Sequence, residues 1–264
     1  MRLVVSSMRW QPLILRMFLK SFNLAAILLA VQFLTRIPLP LRHKPAEEVW
    51  AHSVAWFPVV GLLIGLLVAG ARYLASWFWP VELAAALSVA LWAIVTGSLH
   101  LDGFVDCCDA LVAVVPAQRR LEILRDVHVG TYGLVGAIVL LLLKWLAVSK
   151  APWSALVIAP IIGRWAMAYV IWRFPYARSD GLGKMFKDGL TWQEFLLASF
   201  MTLGLALAFM RWQGLIALAG SWLAAWLSAR WAHKQLGTGI TGDVYGMECE
   251  VNEIVALLIL GALH

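Results

Sequence analysis

Thr131-Tyr132-Gly133-Leu134-Val135-Gly136-Ala137-Ile138-Val139-Leu140-Leu141-Leu142-Leu143-Lys144-Trp145-Leu146-Ala147-Val148-Ser149 is long and apolar enough to cross a bilayer as one helix, which takes about twenty residues. Outward from it, similar runs lie near 53–79, 82–101, 153–173, 194–211, 213–230 and 251–263, the last of them short. The stretch 22–34 is apolar too, but Thr35-Arg36-Ile37-Pro38-Leu39-Pro40 follows it closely. That length suits an interfacial or re-entrant helix better than a span. The expected fold is all-α: a polytopic helical membrane protein of about seven transmembrane helices plus a short N-terminal helix. It forms a single integral-membrane domain over 1–264, with a basic N-terminal extension at 1–20.

Composition agrees. Hydrophobic residues make up 62% of the chain and charged residues 14%, with a mean hydropathy of +0.82, whereas a soluble domain carries about a quarter charged residues. Fifteen tryptophans fit a protein with much membrane-interface surface. The formal charge of +6 then bears on topology and anionic lipid. No basic strip interleaved with aromatics and no nucleic-acid module is present, so nucleic acid is not an expected partner. Cys107, Cys108 and Cys249 have no zinc-site spacing and read as small apolar fillers. Arg2, Arg9, Arg16 and Lys20 are scattered among apolar positions, unlike a signal peptide, and the N-terminus is expected to be retained.

The links near 80, 150 and 212 are short, while those at 35–52, 102–130, 174–193 and 231–250 are long and polar. Between antiparallel neighbours all the long links fall on one face. That face carries Arg36, Arg42, Lys44, Arg119, Arg120, Arg125, Arg178, Lys184, Lys187 and Lys234, against Lys150 and Arg211 on the other. The positive-inside rule therefore puts the long links in the cytoplasm.

The carboxylates gather there as well. Asp102, Asp106 and Asp109 stand at helical spacings of four and three, on one face, with no interleaved Lys or Arg. One reading is a helix whose charges face water. The other is a divalent cation, for which hard oxygen ligands suit Mg²⁺ or Mn²⁺. A second set, Thr241-Gly242-Asp243 with Glu250 and Glu253, reads either as a capped helix start or as part of the same centre. Gly103 and the Gly130-Thr131-Tyr132-Gly133 turn would let backbone amides approach phosphate oxygens, or would serve helix packing. Arg164 lies within an expected span and needs a carboxylate or a ligand phosphate as partner. Arg173 and Arg178 flank Pro175-Tyr176 at the mouth of that span, as a phosphate clamp, with lipid-facing snorkelling the alternative for Arg173. His100 is a candidate general base or a hydrogen-bonded histidine at a helix end. Together these point to phosphoryl or phosphodiester transfer, which needs positioning and charge neutralisation more than covalent machinery.

Six ordered motifs then resemble the cobalamin (5′-phosphate) synthase family. They are Phe33-Leu34-Thr35-Arg36-Ile37-Pro38, Phe57-Pro58-Val59-Val60-Gly61, His100-Leu101-Asp102-Gly103 with Asp106 and Asp109, and Arg125-Asp126 with Gly130-Thr131-Tyr132-Gly133. Tyr176-Ala177-Arg178 with Gly181-Leu182-Gly183, and Thr241-Gly242-Asp243 with Gly246, Glu250 and Glu253, complete the series. The resemblance runs from about residue 20 to the C-terminus, with Met247-Glu248 a departure from expected small residues. It implies an enzyme of the cell inner membrane, its active site on the cytoplasmic face. Such an enzyme joins adenosylcobinamide-GDP to α-ribazole or α-ribazole 5′-phosphate, forms adenosylcobalamin or its 5′-phosphate, and releases GMP with Mg²⁺. On that reading Asp102, Asp106 and Asp109 hold the metal. Asp243, Glu250 and Glu253 complete its shell or take the acceptor's proton. Arg125, Asp126, Gly130, Thr131, Gly133, Arg164, Arg173, Arg178, Thr241 and Gly242 contact substrate. A homo-oligomer and association with other corrinoid-pathway enzymes are further expectations. The aspartates also resemble the acidic signature of CDP-alcohol phosphotransferases, although Cys107-Cys108 stands where that family has Ala-Arg. An ion-coupled transporter is the third reading, disfavoured because the charges gather at one face.

Overall fold

The computed structural model describes residues 23–39 and 45–264. The expectations for the extension 1–20, Phe22, Pro40, Arg42 and Lys44 lie outside the described residues.

Helix α1 (Leu24–Leu34) starts at Asn23, whose side chain accepts from the Ala25 amide. Its 11 residues reach only about 16 Å at 1.5 Å per residue, too short to cross a bilayer. Beyond it the Arg36 amide donates to the Val95 carbonyl at 2.7 Å and ties this end of the chain to another helix. Helix α2 (Glu47–Ser53) runs through a single 3₁₀ turn at Val54–Trp56 into α3 (Phe57–Ala75). The three together make one 29-residue apolar span.

The expected span 82–101 is corrected. Helix α4 (Val81–Thr96) stops at Gly97 and Ser98, whose φ values of 61° and 57° are both left-handed. Glycine adopts that conformation at no steric cost, which makes Gly97 a natural stop. Helix α5 (Leu99–Val112) then leaves at 92° to α4. It packs lengthwise against the first half of α7 (Thr131–Lys150) and of α11 (Gly242–Ala262), and its 14 residues are by themselves too few to cross a bilayer. Helix α6 (Ala117–Ile123) lies between α5 and α7. The aspartate stripe, expected in a long polar link, is therefore on a helix that turns sharply away from α4.

Helix α8 (Trp153–Arg173) is the centre of the bundle: every residue from Ala155 to Ile171 is buried, and it packs against α3, α10 (Trp192–Leu236) and α11. Helix α7 by contrast exposes Leu134, Val135, Ile138, Val139, Leu142 and Leu146, an apolar face suited to lipid. Helix α9 (Leu182–Lys187) is a short helix that buries Gly183 and Phe186. The 45-residue α10 is broken at Arg211, where φ is 50° and ψ is −130°. A Cβ on Gly214 would stand 2.5 Å from the Ala206 carbonyl oxygen, although residues eight apart in a straight helix are about 12 Å apart. The chain therefore doubles back, and the expected spans 194–211 and 213–230 are the two arms of a hairpin. The last helix was expected at 251–263, after a polar link over 231–250. In the structure α10 continues to Leu236 and α11 starts at Gly242, so the last helix is 21 residues long, and with Asp243, Glu248, Glu250 and Glu253 in it α11 is not among the helices apolar enough to count as membrane-crossing.

By length and apolarity four of the described helices qualify as membrane-crossing, with the two arms of α10 counted as one, or five with α4 and α5 taken as one bent span; the expected count of seven is not confirmed. At one end of the bundle the connecting segments are stitched together. Tyr176 and Ile240 form a parallel bridge, with Ala177 N to Ile240 O and Ile240 N to Pro175 O both at 2.9 Å. Arg178 donates to the Leu124 carbonyl at 3.0 Å. Lys187 Nζ caps the end of α8 through the Ile171 and Trp172 carbonyls.

Candidate active site

The site starts from a glycine contact. Helices α5 and α11 cross where a Cβ on Gly103 would meet the Asp243 carbonyl oxygen at 2.7 Å, and one on Gly246 would meet the His100 carbonyl oxygen at 3.1 Å. Only the missing side chains permit this approach. It brings Asp102 and Asp106, on successive turns of α5, beside Asp243 at the start of α11. Gly103, expected near phosphate, acts here as the crossing point.

Asp102 is exposed and Asp106 half-buried, and neither carboxylate has a hydrogen bond or ion pair among the described residues. Burial, together with the charges of Asp102, Asp243 and Asp109, pushes the Asp106 carboxyl up from the usual carboxylate range to about 7. Asp243 accepts from Arg178 and from the Thr241 hydroxyl, both at 3.0 Å. Among the described residues no three His, Cys, Asp or Glu side chains close into a metal-holding group. The donor set is instead two free carboxylates with a third close by. That set suits a hard cation that keeps positions for waters and ligand oxygens, the usual habit of Mg²⁺ at phosphate sites.

The acidic group opens on a cavity of about 230 Å³. Asp102, Gly103, Arg178, Gly242 and Asp243 line one part of it, and Phe33, Phe57, Met167 and Phe186 another. His100 lines it as well; it is buried, and its Nε2 has no partner. Gly181 and Gly183 of the expected Gly-Leu-Gly segment reach the same cavity beside Tyr176.

Several expected site residues are elsewhere. Asp109 accepts from the Gly130 and Gly133 amides, both at 2.8 Å, so its two oxygens cap the start of α7. The amides expected to face a phosphate are taken by this carboxylate. Thr131 and Asp126 share an open outer groove with Gly130, and Asp126 accepts from the amide and ring of His128. Arg125 faces Asp180 at 3.6 Å on the surface. Arg173 is exposed and lies over the Phe174 ring.

Glu250 and Glu253 point down the bundle. Glu253 is ten residues beyond Asp243, about 15 Å along the helix axis, and cannot join the aspartates. Lys144 Nζ donates to Glu250 and Glu253, both at 2.6 Å, and sits 4.2 Å from the Trp92 ring centre. Arg164, fully buried, pairs with the other Glu253 oxygen. Of the two partners open to Arg164, the structure provides the carboxylate. Four charges thus neutralise one another at membrane depth, as ionisable groups there must. Sequence reading missed Lys144, although the signal was the same as for Arg164: an ionisable residue inside an apolar run. It also missed that Glu248, buried opposite Ser228 and Asn252, is held by hydrogen bonds from both.

The family pattern described as Cobalamin-5-phosphate synthase matches residues 26–261. An adenosylcobinamide-GDP ribazoletransferase of Roseiflexus sp. (strain RS-1) is 41% identical over 234 residues, 88% of this chain and 87% of that protein. Proteins of the same description from Geotalea daltonii and Klebsiella pneumoniae subsp. pneumoniae are 38% and 35% identical; the alignments cover 89% and 88% of this chain, and 96% and 97% of theirs. No solved structure matches the chain. With the family pattern spanning nearly its whole length, this multi-pass helical protein belongs to the cobalamin-5-phosphate synthase family.

Proposed function

We propose that the chain joins adenosylcobinamide-GDP to α-ribazole or its 5′-phosphate, forming adenosylcobalamin or its 5′-phosphate and releasing GMP. The observation that carries this reading is the pair of unpartnered carboxylates, Asp102 and Asp106, set beside the Asp243–Arg178 pair at a cavity mouth. In the reaction the acceptor hydroxyl attacks the phosphorus that bears cobinamide. The new P–O bond forms as the P–O bond to GMP breaks, and the hydroxyl proton is lost.

Asp102 and Asp106, with Asp243, are the residues that would hold Mg²⁺, which when bound neutralises diphosphate charge and assists departure of GMP. Arg178 adds a fixed positive charge at the same mouth, where its guanidinium is steadied by Asp243 and the Leu124 carbonyl. His100 Nε2, buried and free, and Asp243 are the two groups placed to take the proton. The local net charge of the mouth is negative without a cation, so a substrate that brings a diphosphate needs one there. The long links that carry the site hold most of the loop Lys and Arg, which supports a cytoplasmic face of the inner membrane.

The test uses purified protein in lipid nanodiscs, with GMP release measured from adenosylcobinamide-GDP and CMP release from CDP-diacylglycerol. Release only from the first, abolished by EDTA and restored by Mg²⁺, is expected. Undiminished turnover in Asp106→Asn, with unchanged metal dependence, would falsify the assignment of the carboxylates.

A further inference from the structure

The cavity has two chemically different parts. One is walled by Phe33, Phe57, Phe186, Met167 and Ile171. Its rings pack closely, with centroids 4.5 Å apart for Phe33–Phe186 and 5.6 Å for Phe57–Phe186. None of these five side chains carries a strong hydrogen-bonding group. The other part holds Asp102, Arg178 and Asp243. Two more lining residues bury polar atoms with no partner among the described residues: His100 at Nε2, 2% exposed, and Tyr245 at its hydroxyl, 3% exposed. With Arg178 Nε, also buried without a partner, three orphans stand on one cavity; nearly all buried polar side-chain atoms are hydrogen-bonded, so they point to a ligand that completes them.

We infer that this cavity is the acceptor pocket, taking a ribonucleoside whose base is a flat, largely apolar pair of fused rings. The inference rests on the transfer proposed above and names which substrate lies where. Size comes first: about 230 Å³ admits a two-ring base and excludes a corrin macrocycle. Polarity then separates the remaining candidates. Guanine, on the leaving nucleotide, has donors and acceptors around its edge that the aromatic wall would strand without partners. A benzimidazole base has one free ring nitrogen, an acceptor, and otherwise apolar edges. The half-buried Phe33 ring, backed by the fully buried Phe57 and Phe186, gives it a surface to pack on, and the Tyr245 hydroxyl is a donor for its nitrogen. The ribose then lies toward Asp102 and Asp243, where the attacking hydroxyl is required.

The experiment varies each substrate in turn with full-length protein in nanodiscs. Tyr245→Phe removes only a hydroxyl that no protein group uses, so its melting temperature should not fall. Its KM for α-ribazole should rise about fivefold, with KM for adenosylcobinamide-GDP unchanged. Phe33→Leu, at the half-buried edge of the wall, should raise the acceptor KM about tenfold. If that variant does not fold, Met167→Leu provides the same reading from across the cavity at conserved volume. An acceptor KM within twofold of wild type in Tyr245→Phe and in the wall variant overturns the assignment. So does a rise in the donor KM instead. If wild-type protein releases no GMP at all, the transfer reading fails, and calorimetric binding of α-ribazole to wild type against Tyr245→Phe still decides the pocket.

Discussion

Replacing Gly103 by alanine tests whether the α5–α11 crossing sets the site. The added Cβ would lie 2.7 Å from the Asp243 carbonyl oxygen and 3.1 Å from its Cα, whereas ordinary contact starts at 3.4 Å. Both neighbours are backbone and cannot swing aside, so α11 must move off α5 by about 0.7 Å. Overpacking of this kind costs about 1–3 kcal/mol. Alanine returns up to about 1 kcal/mol through its better helix propensity. The net loss of about 0–2 kcal/mol leaves a folded protein. Turnover is more sensitive, because a misplacement near 1 Å costs about 10²-fold in rate. The expected result is a fall in GMP release of roughly 30- to 100-fold, with the melting temperature lowered by only a few degrees. Gly204→Ala, where an added Cβ meets nothing within 4 Å, is the control and should keep full turnover. Wild-type activity in Gly103→Ala would refute the idea that this contact positions Asp243 against the aspartate pair.

Three further outcomes follow from the geometry. Asp109→Asn should act on stability, by about 1 kcal/mol, because the side chain caps α7, while Asp102→Asn should act on turnover and metal dependence; thermal melts and GMP release on both variants separate the two. Lys144→Met leaves Glu250 and Glu253 facing Arg164 alone and should cost about 3–5 kcal/mol, read by unfolding in detergent, whereas Lys144→Met combined with Glu250→Gln should recover part of it. The raised Asp106 carboxyl predicts the sign of a pH effect: its contribution to stability is present at acid pH, below the unfolded value, and is lost as pH rises through about 7. Metal-free protein should therefore be less stable at pH 8 than at pH 6 by an amount that Asp106→Asn removes, and melts of both proteins at the two pH values check it.

How much of this was legible depended on what kind of signal set each feature. The runs 131–149 and 153–173 return as α7 and α8 almost residue for residue, because span length is written directly in apolar content. Helix ends set by a single backbone angle were not readable. Arg211 is not a turn residue by type, yet it folds α10 back on itself, and Gly97-Ser98 could mark a stop but not the 92° at which α5 leaves α4. The start of α11 was hidden by its four carboxylates, which look like a loop until their partners in other helices are known. For the site, helical spacing placed Asp102 and Asp106 on one face, and Asp243 was picked out by its flanking glycines. Spacing cannot show depth, so Glu250 and Glu253 were placed with the aspartates when they belong to Lys144 and Arg164. Nor could it show that Asp109 turns to the α7 amides, since that depends on where a helix twenty residues later begins.

The neutral quartet inside the bundle also dictates the order in which the chain can be assembled. Its two cations, Lys144 and Arg164, are on α7 and α8, and both anions are on α11, a helix synthesised after both. Each cation stranded in a bilayer centre costs about 2.5–3.5 kcal/mol on insertion scales. A nascent chain that has delivered α7 and α8 therefore holds two uncompensated charges until α11 arrives. Partly made protein should stay open, with those helices shallow or held by the insertion machinery, and close in one step when Glu250 and Glu253 reach their partners. Helix α11 carries Asp243, the proposed metal-holding aspartate, at its start and, ten residues deeper, the charge that allows earlier helices to settle, so its removal should undo membrane integration and chemistry together.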